Sequence, residues 1–228
     1  MTVQNTVYYI IGVTAVLCIM ILIFYSKVKD ADPLEEPKGA VLFGIMAVEF
    51  VENMVRQATN KELTEKLSPY IASIMLYIFF ANISGLFGIE PPTANYSVTL
   101  TLAAITCILI EVISFKYKGG KDYVKGLFEP FAPFVIINLI SKLGTLLSLS
   151  LRLFGNIISG SILMSVIYQL FAMLSGLIPV VGKFNIVGVL VAPFLHMYFD
   201  LFTGLMQTYL FATLTVSFIG NELPDDSK

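Results

Sequence analysis

Tryptophan is absent from this sequence, histidine occurs once and cysteine twice. A single histidine excludes His-rich metal sites and His-rich proton relays. Cys18 and Cys107 both fall inside apolar runs, with no second Cys or His at ligand spacing, which excludes a disulfide framework or a zinc site. Charge is scarce too, at 13% of residues where soluble domains carry about a quarter. Acids and bases nearly balance at a formal net charge of -2, so no basic excess points to nucleic acid. What is abundant is apolar sequence, 57% of 228 residues, and this is the composition of a chain that faces lipid.

A membrane-crossing helix needs about 20 mostly apolar residues to span roughly 30 Å of hydrocarbon. Residues 7–25, 68–87 and 97–115 meet that requirement as ordinary spans. The first has no Lys or Arg before it and has Lys27 and Lys29 after it, the reverse of a secretory signal, so it is expected to be a retained anchor. Between the first two spans, residues 41–56 set Phe43, Met46, Phe50 and Met54 against Glu49, Glu52 and Arg56. That pattern predicts a short amphipathic helix on the membrane surface or against a partner. Glu90-Pro91-Pro92 to Tyr96 reads as a turn, and residues 116–129 as a basic loop ending at Glu129-Pro130. The Gly-Gly-Lys-Asp within that loop is not a nucleotide site, because Phe115 stands where the first Gly of a phosphate-binding loop belongs and Asp122 where its Ser or Thr belongs.

Residues 133–175 and 186–219 are too long to be upright helices, running about 64 Å and about 50 Å at 1.5 Å per residue. They are expected to tilt or kink as a hairpin, with a turn at Gly176 to Lys183 and an irregularity at Pro193. The fold class expected is an all-α integral membrane protein, a single membrane domain over 1–228 with about five membrane helices and one surface helix. Basic residues gather in 27–66 and 116–125, with only Lys183 in the segments opposite, so the positive-inside rule puts the N-terminus outside and the C-terminus in the cytoplasm.

Arg152 breaks the pattern, because it sits midway along a long apolar helix where a charge costs at least about 2.5–3.5 kcal/mol. Thr145, Ser148, Arg152, Asn156 and Ser159 recur at helical spacing as one polar stripe; His196, Asp200, Thr203 and Gln207 form another. In a hairpin the two stripes could face one polar route. Blander readings stand beside this one. Arg152 with Asp200 could be a structural ion pair. The Ser and Thr hydroxyls could bond their own backbone. His196 could be an interfacial residue, Glu111 could reach the basic loop, and Lys142 could snorkel.

Ser148-Leu149-Ser150-Leu151-Arg152-Leu153-Phe154-Gly155-Asn156 strongly resembles the signature of the F-type ATP synthase a subunit. Val48-Glu49-Phe50, the run from Asn82 to Gly88, Phe128-Glu129-Pro130 and the run from Gln207 to Thr215 resemble that family in the same order. The resemblance implies an ion-translocating stator subunit, not an enzyme by itself, with two half-channels for protons or sodium ions. It implies that Arg152 faces the rotor carboxylate, with Leu149, Leu153 and Asn156 flanking it, and that Gln207 of the last helix lies close by. It makes Asp200 a protonatable channel residue, while Ser161 stands where many relatives have Glu or His. The access route there would rest on water, Asp200 and Glu111. The implied partners are a rotor ring of small proteolipid (c-type) subunits, peripheral stalk (b-type) subunits and lipid, in a bacterial-type plasma membrane. No cofactor and no bound nucleotide is implied for this chain.

The rival of another class is a membrane insertase, which also uses a lone intramembrane arginine but has no use for the stripe from His196 to Gln207. A membrane enzyme is disfavoured, since neither Gly-x-Ser-x-Gly nor His-Glu-x-x-His occurs.

Overall fold

The computed structural model describes residues 3–29, 36–129, 131, 133–176 and 186–224. Helices dominate and no strand occurs among the described residues. The elements are α1 (Val3–Lys29), α2 (Ala40–Arg56), α3 (Lys61–Ile83), α4 (Tyr96–Lys118), α5 (Gly120–Phe128), α6 (Phe134–Gly176), α7 (Ile186–His196) and α8 (Thr203–Glu222). Five stretches are long and apolar enough to cross a membrane: Thr6–Lys29, Lys61–Phe87, Tyr96–Lys118, Phe134–Gly176 and Gly188–Glu222. The chain is a multi-pass membrane protein.

Local chemistry sets the helix ends. The Asn60 side chain accepts from Leu63 N at 2.9 Å, so α3 starts at Lys61, ahead of the expected residue 68. Its first turns extend past the apolar run, with Lys66 and Glu62 paired at 2.5 Å. After α3 the chain tightens into a 3₁₀ turn over Ser84–Phe87 and leaves through Gly88 at φ 71°, a left-handed conformation that suits glycine. A second 3₁₀ turn, Pro92–Ala94, matches the expected Pro-rich turn, and Asn95 caps α4 by accepting from Ser97 N at 2.9 Å.

Two expectations are corrected here. Most of the supposed basic loop is helical, forming α5 directly after α4 with Gly119 at φ 79° as the hinge. The irregularity in the last segment is not at Pro193, which α7 accommodates, but just beyond it, where Met197–Phe202 widens into a π-helical turn. The expected hairpin turn at Gly176 to Lys183 lies, beyond Gly176, outside the described residues.

The core forms where α3, α4 and α8 meet. Leu67, Ile71, Ile110, Ile113, Val216 and Ile219 are buried together at one end, joined by Val51 and Val55 of α2. The amphipathic α2 thus seats its C-terminal half on the bundle, while Phe43 and Met46 near its start stay exposed. Higher up, Ile74, Ile78, Ala103 and Phe211 receive Leu149 and Leu153 of α6. Very close approaches hold the bundle: a Cβ on Gly220 would lie 2.9 Å from Ala58. By contrast α1 and α6 bury little of themselves, and their apolar side chains face outward. At 43 residues α6 is about 64 Å long, twice the hydrocarbon thickness, so it crosses obliquely or projects beyond.

Candidate functional site

α6 is the backbone of the site, because it carries polar groups at three levels. At its N-terminal end Lys142 is bonded to Glu111 of α4, and the Tyr123 hydroxyl of α5 donates to the same carboxylate oxygen at 2.5 Å. Lys142 also donates to Tyr123 Oη at 3.1 Å and lies 4.7 Å from the centre of its ring. Glu222, at the end of α8, accepts from Lys118 at 2.6 Å and from Ser114 at 2.8 Å. Lys142, Tyr123, Lys118 and Glu222 line a cavity of about 210 Å³, together with Asn138 and Asp122. Burial, and then the bond to Glu111, hold the Tyr123 hydroxyl above its ordinary pKa. One expectation changes at this level: Lys142 does not snorkel but pairs across the helices with Glu111, while Glu111 does reach the segment 116–129, through Tyr123.

Ten residues further, about 15 Å along the helix, stands Arg152. Its one hydrogen bond among the described residues is to Ser148 Oγ at 3.4 Å. A guanidinium carries five donors, so most of its capacity is unused. The blander reading that pairs Arg152 with Asp200 fails, since no ion pair within 4 Å joins them and Asp200 is engaged elsewhere. Leu149 and Leu153, expected beside the arginine, are turned inward at 1% exposure against Phe211, whereas Ser148 and Leu151 are exposed. Gln207 of α8 is buried, with no partner for its Nε2.

The third level is a cavity of about 280 Å³ where α6 meets α7, the π-helical turn and the end of α3. Asn156 and Ser161 line it from one side, His196 and Asp200 from the other, and Glu90 from the turn before α4. His196 Nδ1 lies 2.6 Å from Asp200 Oδ2, and its Nε2 lies 2.8 Å from the hydroxyl of Tyr168. Asp200 sits close over Gly85, where a Cβ would come within 3.8 Å of its Cγ. Asn82, 2% exposed, accepts from Thr93 at 2.8 Å but leaves its Nδ2 unpartnered, as does Asn156. Buried amide donors without protein partners beside a cavity are the pattern that enclosed water satisfies.

The structure therefore joins Asn156, Ser161, His196 and Asp200, and leaves Arg152, Ser148, Gln207 and Glu111 outside that lining. Thr145, Ser159 and Thr203 bond backbone carbonyls four residues back, as the packing reading of hydroxyls expected, and so does Ser161; Ser148, which that reading also covered, instead accepts from Arg152. His196 is not a lone interfacial residue but part of a bonded chain. Sequence reasoning missed Tyr168, which continues the polar side of α6 seven residues after Ser161, and gave Asn82 no role in the site.

The model of the family described as ATP synthase A chain matches residues 7–220. The chain belongs to that family. Among relatives, ATP synthase subunit a of Staphylococcus aureus (strain JH9) is 30% identical over 225 residues, 94% of this chain and 88% of that protein. ATP synthase subunit a of Mycoplasma genitalium is 29% identical, covering 91% of this chain and 76% of the relative. A third, from Propionigenium modestum, is named ATP synthase subunit a, sodium ion specific, and is 29% identical over 95% and 74% of the two chains. Membership of the ATP synthase A chain family displaces the insertase reading, and it makes the chain a subunit of the membrane sector.

Proposed function

We propose that this ATP synthase A chain conducts ions past a rotor ring of small c-type proteolipids through two offset half-channels, with Arg152 facing the ring's ion-binding carboxylate. The observation that carries this is the position of Arg152 on α6, between two separate cavities, in the polar stripe of an otherwise apolar helix and with most of its donors unspent. The Asp200 cavity serves the outer half-channel and the Glu111–Lys142 level the inner one, in the N-out, C-in orientation that the basic residues favour. Peripheral stalk b-type subunits anchor the assembly in a bacterial-type plasma membrane.

An ionised rotor carboxylate facing lipid is costly, so ring acids travel neutral or ion-bound. Only opposite Arg152 is ionisation cheap, because a guanidinium stays charged at any relevant pH while a buried lysine does not. With its hydrogen-bonding capacity mostly unspent, Arg152 can meet a carboxylate arriving from another chain. It also bars direct passage between the two cavities, so each ion must ride the ring. One elementary charge crossing 100 mV supplies about 2.3 kcal/mol, so several ions are needed per ATP.

Crosslinking tests this in the whole complex, with Cys18 and Cys107 changed to Ser. Cysteine at Leu151 should form a disulfide with cysteine placed beside the rotor carboxylate, whereas cysteine at the inward Leu149 or Leu153 should not. Crosslinks from Leu149 and Leu153 but none from Leu151 would mean that another face meets the ring.

A further inference from the structure

The end of the bundle that the N-out orientation makes the outer one is nearly free of charge. No charged residue precedes Lys27, only Glu90 stands between Lys66 and Glu111, and only Lys183, outside the described residues, stands between Arg152 and Asp200. Glu90 is exposed on the turn between α3 and α4, where it lines the mouth of the Asp200 cavity. The turn is pinned on both sides of it. Gly88 at φ 71° donates to the Gly85 carbonyl at 3.0 Å, and Ile89 N–H to the Ser84 carbonyl at 3.2 Å. Pro91 and Pro92 have fixed φ, Pro91 lies over Gly85 where a Cβ would come within 3.5 Å of its Cγ, and buried Thr93 donates to Asn82 at 2.8 Å. Among the described residues no basic side chain pairs with Glu90.

A cleft with low-dielectric walls and one sign of charge at its mouth focuses the field and concentrates ions of the opposite sign. Ile89, Ile157, Met164 and Phe199 supply such walls here. Acidic mouths serve the same end in cation channels. We infer that Glu90 is a cation collector, whose fixed negative charge draws cations to the outer mouth of this cavity and turns anions away, so that it sets the rate of entry. This rests on the half-channel reading above. Glu90 acts by its charge alone, hands on no proton, and serves a protonated carrier and a sodium ion alike.

The test is ion conduction into right-side-out vesicles holding the assembled membrane sector, read as proton flux with sodium-22 uptake in parallel and with the complex quantified in every sample. At about 0.01 M external salt, where a charge is felt over about 30 Å, Glu90→Gln should slow conduction about threefold or more, and Glu90→Lys should slow it further. At about 1 M salt the reach falls to about 3 Å, and the wild type and Glu90→Gln should converge. Glu90→Asp, which keeps the charge, should keep the salt dependence. Equal rates for the wild type and Glu90→Gln at low salt would overturn the proposal. So would equal slowing at both salt concentrations, which would make Glu90 a prop for the turn or a titrating group. If Glu90→Gln fails in either way while Asp200→Asn blocks conduction, the collector falls and the half-channel stands. If Asp200→Asn conducts normally, the half-channel reading fails and the collector with it.

Discussion

Lys142 of α6 is bonded to Glu111 of α4 inside sequence that is otherwise apolar, tying together helices that meet nowhere in sequence. Removing one partner of a fully buried pair costs about 3–5 kcal/mol. Here the side chains keep 27% and 34% of their surface, which reduces the expected cost of Lys142→Met to roughly 1–2 kcal/mol. A lower thermal midpoint of the detergent-solubilised complex measures it, and Lys142→Met with Glu111→Leu should recover most of the loss. An unchanged midpoint in the single variant would mean the pair contributes nothing.

Gly220 lets α8 lie against the turn after α2, where a Cβ would stand 2.9 Å from both the Cβ and the carbonyl oxygen of Ala58. Backbone cannot move aside as a flexible side chain can, so Gly220→Val should cost about 1–3 kcal/mol and reduce the assembled complex. Gly144, with open space around it, is the control: Gly144→Ala should leave the yield unchanged. Equal yields from the Gly220 and Gly144 variants would contradict the close packing.

Asp200→Asn keeps the shape of the side chain and its hydrogen bonding to His196 while removing its titration. Proton conduction should fall at least tenfold with little loss of assembled complex. Loss of the complex with unchanged conductance per complex would return Asp200 to a purely structural role.

Much of the fold was legible because lipid imposes simple length and charge rules. The five spans, the amphipathic α2 and the anomaly of Arg152 follow from apolar run length and from charges in the wrong solvent. α5 was not legible: nine residues holding Gly120 and Gly126 read as a loop, and the helix exists because α4 and α6 give it something to pack on. The Glu111–Lys142 pair was hidden for the same reason, since each residue alone reads as a side chain reaching for water. Which residues flank Arg152 depends on the rotation of α6, and that is fixed by Leu149 and Leu153 docking against Phe211. Tyr168 was given no role, although its place seven residues after Ser161 was a readable signal. The chain His196–Asp200 needed the structure, because spacing of four fits a bonded pair and two unrelated residues equally well.

The central claim is that Arg152 acts through a guanidinium that meets a rotor carboxylate, and ATP synthesis driven by an imposed ion gradient in membrane vesicles carrying Arg152→Lys tests it most directly. Lysine supplies a positive charge but neither the planar fork nor a fixed protonation state. With the complex assembled in normal amounts, synthesis should fall to background. Synthesis near the wild-type rate in those vesicles would contradict the account.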